Sequence, residues 1–232
     1  MIKVFIATEL GHEKAEKALE YSIRSSTNSE IQIFWMKNDV GETFSNWNKG
    51  RSHMRMNSGE GWKTNFSCYR WAIPELCNFS GKAIYLDVDQ LVIKDIAQMW
   101  DLDMQNKAVL SITPERTDVM LMDCSKFNGE WWPRLSTMKP SGKHQKHYRC
   151  LVQNKDLIGH LDPIYNCLDG EGMSDETRLI HYTKMSTQPW KPSPESMEYK
   201  AHKSPYLEGL WWRYYFAALE FEKNNGIVLG CQ

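Results

Sequence analysis

Two aspartates, Asp87 and Asp89, stand one residue apart immediately after the apolar run "AIYL". Side chains at positions i and i+2 of a strand point to the same face, so we expect both carboxylates in one site and Val88 on the opposite face. Two carboxylates this close in a partly buried site cannot both ionise cheaply unless a cation lies beside them. Oxygen ligands suit Mg²⁺ or Mn²⁺, which keep coordination positions for phosphate oxygens. The pair therefore predicts a divalent metal site and a substrate that carries phosphate.

A D-x-D triplet is short enough to occur by chance, so its surroundings decide what it means. A second triplet, Asp101-Leu102-Asp103, follows the helical run "IAQMW" and has no apolar strand before it. We interpret this second triplet as a surface turn at the end of a helix. The first triplet follows a strand, and ligands of open parallel sheets bind beyond the carboxyl ends of the strands. Only the first triplet is therefore a candidate site.

The elements that must position these aspartates alternate between strand and helix over most of the first 125 residues. Short β-branched or aromatic runs predict strands, and apolar residues at helical spacing predict helices. The predicted strands cover residues 3–8, 30–36, 82–93, 107–113 and 118–124, and the predicted helices cover residues 11–26, 65–81, 95–102 and 208–226. The alternation predicts an α/β fold with a mostly parallel central sheet flanked by helices.

The connections and the last helix carry further expectations. We expect residues 38–61 and 139–149 to form long loops, the second of them mobile. Pro74 is expected to interrupt the second predicted helix. The last helix presents an aromatic face that we expect to pack onto the sheet, with contact to a membrane as the alternative. That face comprises Trp211, Tyr215, Ala218 and Leu219.

The composition limits the classes of function. The chain has 232 residues, of which 41% are hydrophobic and 25% charged, and its formal net charge is -1. These values fit one folded domain and offer no electrostatic basis for binding nucleic acid. The six cysteines include no C-x-x-C pair, as expected for reduced thiols in a cytosolic protein. The N-terminal residues predict neither a secretion signal nor a membrane span, so we expect a cytoplasmic protein, with peripheral attachment to a membrane left open.

Five segments, in this order along the chain, resemble sequence blocks of the nucleotide-sugar glycosyltransferases of the family 8 type. The resemblance implies the GT-A fold, a Rossmann-like nucleotide-binding architecture in which a D-x-D motif holds Mn²⁺, or Mg²⁺, on the diphosphate of the donor. The order and spacing of the blocks make the resemblance more specific than any one of them. The segments are "FIATELGHEKAEKALEYSI", "FSCYRWAIPEL", "AIYLDVDQLVIKDIAQMWDL", "DLIGHLDPIYNCL" and "LIHYTKMSTQPW".

The resemblance also implies a domain plan and a reaction. Residues 1–232 would form a single glycosyltransferase domain, with a nucleotide-sugar-binding part at 1–125 and an acceptor-side part with the C-terminal helix at 126–232. The reaction would move a sugar from a nucleoside-diphosphate sugar, foremost a UDP-sugar, to a hydroxyl acceptor with retention of the anomeric configuration. The donor sugar is left open, and so is the acceptor, whether glycan, lipid-linked or protein.

Site residues follow from the same blocks. His181 follows the strand-like run "TRLI", and its imidazole would complete the metal site with Asp87 and Asp89. Arg70 would pair with an aspartate or with the donor. Thr8 ends the first strand, where contacts to base or ribose are expected, although it could equally cap the next helix. The residues expected to bind the nucleotide sugar are Thr8, Glu9, Arg70, Asp87, Val88, Asp89 and Lys184.

Two departures from the family pattern affect the catalytic residues. Gln188 stands before Pro189-Trp190 where the family has lysine, so Lys184 is expected to clamp the phosphates and stabilise the leaving group. Asp118 stands where the family often has glycine, and it begins an apolar strand near the expected cleft. We therefore expect Asp118, together with Arg70 and Lys184, to be catalytic. Asp162 and Asp169 are alternative carboxylates for orienting hydroxyl groups.

Two other functions remain open on the sequence. A phosphohydrolase of the haloacid dehalogenase type also carries a D-x-D motif after a strand, with Asp87 as nucleophile and Asp89 as general acid. Against it, the motif lies late in the chain, and Leu91 occupies the place of a hydroxyl residue or valine. The other alternative is a non-catalytic protein that binds a sugar nucleotide on the same fold.

Overall fold

Strands and helices alternate as the sequence predicts, in a computed structural model that describes residues 1–37, 66, 69–127, 131–132, 151, 153–190 and 200–231. The strands are β1 Ile2–Ala7, β2 Ile31–Met36, β3 Lys82–Asp87, β4 Gln90–Val92, β5 Val109–Ser111, β6 Val119–Asp123, β7 Ile158–His160, β8 Cys167–Leu168 and β9 Leu179–His181. The α-helices are α1 Glu13–Ser26, α2 Ile73–Leu76, α3 Ala97–Trp100 and α4 Pro205–Asn225. The predicted long loops, 38–61 and 139–149, lie outside the described residues.

The larger sheet has six strands in the order β2-β1-β3-β6-β5-β7. Strand β1 pairs in parallel with β2 and β3, and β5 pairs in parallel with β7. Strand β6 runs antiparallel to both of its neighbours, so five of the six strands point the same way. The α/β class with a mostly parallel sheet is thus confirmed. The chain places the carboxyl ends of β1 and β3 side by side, and the register joins Ala7 to Asp87.

A smaller sheet of three strands, in the order β4-β9-β8, lies beyond the end of β3. The prediction of one strand over residues 82–93 is wrong, because a turn at Val88 and Asp89 separates β3 from β4. After that turn β4 leaves the large sheet and pairs antiparallel with β9, with Gln90 opposite His181. The turn therefore links two sheets, and the D-x-D motif lies at the junction.

The segment predicted as one helix over residues 65–81 is shorter and broken. In the described residues, a 3₁₀ turn at Tyr69–Ala72 leads into the single α-turn of α2, with Pro74 in its first positions. Proline is tolerated at the start of a helix because its missing N–H has no intrahelical partner there. Pro74 thus helps to begin α2, and positive φ angles at Asn78 and Phe79 end the segment.

The final helix is confirmed, but its main contact is with α1 rather than with the sheet, and its buried residues join the hydrophobic core. Ser204 caps its start by accepting a hydrogen bond from the N–H of Leu207 at 3.3 Å, and Gly226 ends it with φ +63°. Trp211 of the predicted face is buried, whereas Leu219 is 37% exposed. No helix in the described part of the chain is long and apolar enough to cross a membrane.

Candidate functional site

Asp87 ends β3 with its carboxylate held by two side chains. Arg70 donates from Nη2 to both carboxylate oxygens, at 3.0 and 3.3 Å, and the hydroxyl of Tyr85 donates to Oδ1. The guanidinium of Arg70 also lies 4.6 Å from the centre of the Tyr85 ring, and its Nη1 donates to the Thr117 hydroxyl at 3.1 Å. Tyr85 lies on the same strand two residues before Asp87, so the strand itself aligns donor and acceptor. These contacts fix the direction in which Asp87 points.

Asp89 lies in the turn after β3 and is held by residues from the C-terminal part of the described chain. Its Oδ1 is 3.0 Å from Nε2 of His181, and its Oδ2 accepts a hydrogen bond from Nε2 of Gln188 at 3.1 Å. Its backbone carbonyl accepts from the N–H of Tyr182 at 2.9 Å. The small sheet supplies this arrangement, since β9 brings His181 beside the turn. Asp89 is therefore fixed through both its backbone and its side chain.

The three residues expected to bind metal come together. One ligand atom from each of Asp87, Asp89 and His181 lies within 4.8 Å of the other two. Carboxylate oxygens with one imidazole suit Mn²⁺ and also Mg²⁺, and the set leaves coordination positions for other oxygens. Each residue is supported by further hydrogen bonds, which is typical of metal ligands. The donor set therefore fits a divalent cation, whose identity the side chains do not fix.

The charges of the site are strongly coupled. Burial raises the pKa of Asp87 to about 6, with Arg70 opposing this shift and Asp89 adding to it. Burial would lower the pKa of His181, but the neighbouring carboxylates of Asp89 and Asp118 outweigh burial and raise that pKa to about 10. Without a cation, a protonated His181 therefore supplies the positive charge between the aspartates. A metal ion would replace the proton on Nε2.

Asp118 lies on the other side of the His181 ring. Its Oδ2 is 3.0 Å from Nδ1 of His181 and accepts a hydrogen bond from Nδ2 of Asn166 at 2.7 Å. Oδ1 of Asn166 also lies 3.0 Å from the same Nδ1. Burial would raise the pKa of Asp118, but its hydrogen bonds with His181 and Asn166 hold that pKa well below its usual range. The expected catalytic carboxylate is thus gathered into the site beside the imidazole.

The other expected binding residues lie at different depths. Thr8 is fully buried, and its hydroxyl donates to Glu16 at 2.8 Å; the helix cap is His12, not Thr8. Glu9 lies 3.9 Å from Nε2 of His12. Val88 is buried between the two aspartates.

Lys184 is exposed and precedes the 3₁₀ turn Met185–Thr187. The alternative carboxylates have structural partners. Asp162 caps a 3₁₀ turn by accepting from the N–H of Ile164 at 3.0 Å, and Asp169 lies 3.1 Å from Nε2 of His202.

The sequence reasoning missed several polar residues around the metal ligands. Gln188 appeared only as a departure from the expected lysine, whereas the structure shows it bound to Asp89. Asn166 lies inside the family-like segment "DLIGHLDPIYNCL", which by itself indicates no role for it. Gln90 donates to the backbone carbonyl of Asp118 at 3.1 Å. Tyr85 could have been found from its position two residues before Asp87, since both side chains share one face of β3.

Comparison with known proteins identifies a family model and solved structures that the chain matches. The family model described as "Glycosyl transferase family 8" matches residues 14–148. Among solved structures, the galactosyltransferase LgtC, in complex with donor and acceptor sugar analogues, superposes with a TM-score of 0.62 at 12% identity, over 93% of this chain and 96% of that one. The glycosyltransferase GlyE of Streptococcus pneumoniae superposes with a TM-score of 0.61 at 17% identity, over 97% of this chain and 64% of that one. No curated protein matches the chain in sequence. At these identities the solved structures support the fold alone.

Proposed function

The chain belongs to glycosyl transferase family 8 and is a glycosyltransferase with a GT-A fold, and from this premise we propose that it moves a sugar from a nucleoside-diphosphate sugar to a hydroxyl group with the help of a divalent cation. The observation that carries the proposal is the convergence of Asp87, Asp89 and His181 at the carboxyl end of β3. A UDP-sugar is the proposed donor, and retention of the anomeric configuration is the proposed outcome. Both rest on the family resemblance.

Asp87, Asp89 and His181 would hold the cation, which we propose to be Mn²⁺ or Mg²⁺. When bound, the cation supplies positive charge to the diphosphate oxygens of the donor and to the leaving nucleoside diphosphate. The protein prepares this site in advance, because Arg70 and Gln188 already hold the two carboxylates in place. Because these carboxylates are already held in place, they need not be reorganised when the donor binds.

The remaining residues would bind and orient the donor. Lys184 is exposed and follows His181 by three residues, and its flexible ammonium group would contact phosphate oxygens of the donor. The backbone of Val88, between the two aspartates, is a candidate contact for the ribose or the diphosphate. Thr8 and Glu9 follow β1, whose carboxyl end is beside that of β3. Glu9 would face the base or ribose, whereas Thr8, fully buried with its hydroxyl on Glu16, would support this segment from beneath.

The phosphohydrolase alternative has no support from the site. A haloacid dehalogenase needs a further acidic group on its cation, whereas in the part of the chain that the structure describes, the third candidate ligand beside Asp87 and Asp89 is the imidazole of His181, and Asp118 contacts the opposite nitrogen of that ring. Arg70 and Tyr85 hold both oxygens of Asp87, which would restrict it as a nucleophile. A non-catalytic sugar-nucleotide-binding protein remains a distinct outcome of the experiment.

The test is a screen of nucleotide sugars with the purified protein. We expect slow Mn²⁺-dependent release of UDP from one or more UDP-sugars, and loss of that release in Asp89→Asn. The matched control is Asp101→Asn, which makes the same change in the exposed second D-x-D triplet. Cleavage of phosphomonoesters instead would indicate the phosphohydrolase. Metal-dependent binding without UDP release, in the presence of a broad set of acceptors, would indicate a binding protein.

A further inference from the structure

The imidazole of His181 has partners on both of its nitrogens. Nε2 faces Asp89 at 3.0 Å, on the side where the cation would bind. Nδ1 faces two oxygens from other parts of the chain, Oδ2 of Asp118 and Oδ1 of Asn166, each at 3.0 Å. The residue is 5% exposed, so water has little access to the ring. The hydrogen-bond partners of Nδ1 therefore control which nitrogen carries a proton.

The partners of Asn166 determine the direction of these hydrogen bonds. Its Nδ2 donates to Oδ2 of Asp118 at 2.7 Å, so its Oδ1 is the atom that faces His181. Both of these neighbours of Nδ1 are thus acceptors, and either can accept the single N–H that Nδ1 can carry. Gln90 is the nearby donor, 3.4 Å from Nδ1, and this contact is longer than the 3.1 Å hydrogen bond that the same Nε2 donates to the backbone carbonyl of Asp118 and than the two 3.0 Å contacts of the acceptors with Nδ1. The arrangement therefore favours a proton on Nδ1.

We propose that Asp118, assisted by Asn166, is a positioning residue that keeps the proton of His181 on Nδ1 and turns the lone pair of Nε2 toward the cation. This inference rests on the proposed metal site. It deepens that proposal by giving Asp118 a role that acts through His181 rather than on the acceptor. A metal-bound histidine commonly donates its other N–H to a carboxylate, which orients the ring and raises the basicity of the ligand.

Backbone contacts hold Asp118 at the large sheet and Asn166 at the small sheet. Asp118 lies immediately before β6 in the large sheet, and its backbone carbonyl accepts a hydrogen bond from the N–H of Asp87 at 3.2 Å. Asn166 ends the 3₁₀ turn Pro163–Asn166 and leads into β8 of the small sheet. Arg116 donates to the Asn166 carbonyl at 3.2 Å and so fixes its backbone. The pair thus spans the two sheets behind His181, and the ring is held between them.

The experiment compares Asp118→Asn with Asp162→Asn. Both variants remove one negative charge without changing side-chain size, but Asp162 caps the turn that contains Asn166 and does not contact His181. Mn²⁺ affinity is measured by titration calorimetry on the nucleotide-free protein. We expect Asp118→Asn to weaken binding by about 10- to 100-fold, because an amide can donate to Nδ1 and force the proton onto Nε2. Asp162→Asn should bind Mn²⁺ as the wild type does.

A second readout separates positioning from a general structural effect. In protein with ¹⁵N-labelled histidine and bound Mg²⁺, the His181 signal should show the proton on Nδ1 in the wild type. The same signal should show this proton lost or moved in Asp118→Asn. If Asp118→Asn unfolds, Asn166→Ser replaces it, with a smaller loss of Mn²⁺ affinity expected.

The outcomes separate the two proposals. A wild type that does not bind Mn²⁺ would overturn the metal site and this inference with it. A wild type that binds Mn²⁺, with His181→Ala impaired and Asp118→Asn unchanged in affinity and tautomer, would overturn the positioning role alone.

Discussion

Replacing Arg70 by glutamine should strongly destabilise the metal-free protein. The side chains of Arg70 and Asp87 are only 7% and 13% exposed, and they pair at 3.0 Å. Arg70→Gln removes the positive charge and leaves the carboxylate of Asp87 in a largely dry environment. Removing one partner of a buried ion pair costs about 3 to 5 kcal/mol. At about 2 to 4 °C per kcal/mol for a chain of this size, the melting temperature should fall by roughly 6 to 20 °C.

The assay is chemical denaturation in EDTA, with a double-mutant cycle. Arg70→Gln combined with Asp87→Asn should be more stable than Arg70→Gln alone, because the second change removes the orphaned charge. Arg213→Gln is the matched control. It makes the same change at an exposed position of α4, where a substitution should stay within about 0.5 kcal/mol. An Arg70→Gln penalty as small as that of Arg213→Gln, or a strictly additive double mutant, would refute the reasoning.

Three further predictions concern His12, Trp211 and Lys184. Burial lowers the pKa of His12 below 6.5, so on acidification the unfolded chain binds a proton at this histidine more readily than the folded protein does, and stability should fall as the pH drops below 6.5. In parallel denaturation curves, His12→Phe should lose less stability than the wild type between pH 7 and pH 5. An equal loss would contradict this. Trp211 is buried and stacks on Trp190 at 5.1 Å; Trp211→Ala should cost about 3 to 5 kcal/mol of unfolding free energy, whereas Phe216→Ala, at a 59% exposed position, should stay within about 0.5 kcal/mol. Lys184→Ala should weaken UDP binding in Mn²⁺ about tenfold or more by calorimetry without changing Mn²⁺ affinity, and an unaltered UDP affinity would remove Lys184 from the site.

The sequence predicted that Asp87, Asp89 and His181 lie close together, but it did not predict the backbone that brings them together. Asp87 and Asp89 were expected to share a face of one strand, but the strand ends at Asp87, and a turn carries Asp89 toward the small sheet. The two carboxylates still meet because the turn is tight and because His181 lies opposite Gln90 on the neighbouring strand. The residue types were informative because buried carboxylates need a compensating charge, whichever backbone brings them together.

Other features depend on contacts between distant segments, which a local pattern does not contain. The direction of β6 could not be read from its apolar residues, since parallel and antiparallel strands share the same alternation. Strands β7 and β8 have only three and two residues, too few for a periodic signal. The supporting partners Gln188 and Asn166 reach the site only after the chain has folded back on β4. Their contacts with Asp89 and His181 depend on the direction of their amide groups in the folded chain.

The central claim is that Asp87, Asp89 and His181 hold a divalent cation that binds the diphosphate of a nucleotide. The most direct measurement is the anomalous scattering of manganese in a crystal of the protein grown with Mn²⁺ and UDP. We predict one strong peak coordinated by these three side chains and by phosphate oxygens of the nucleotide. Bound UDP with no manganese between the three side chains, or manganese held elsewhere on the chain, would contradict the account.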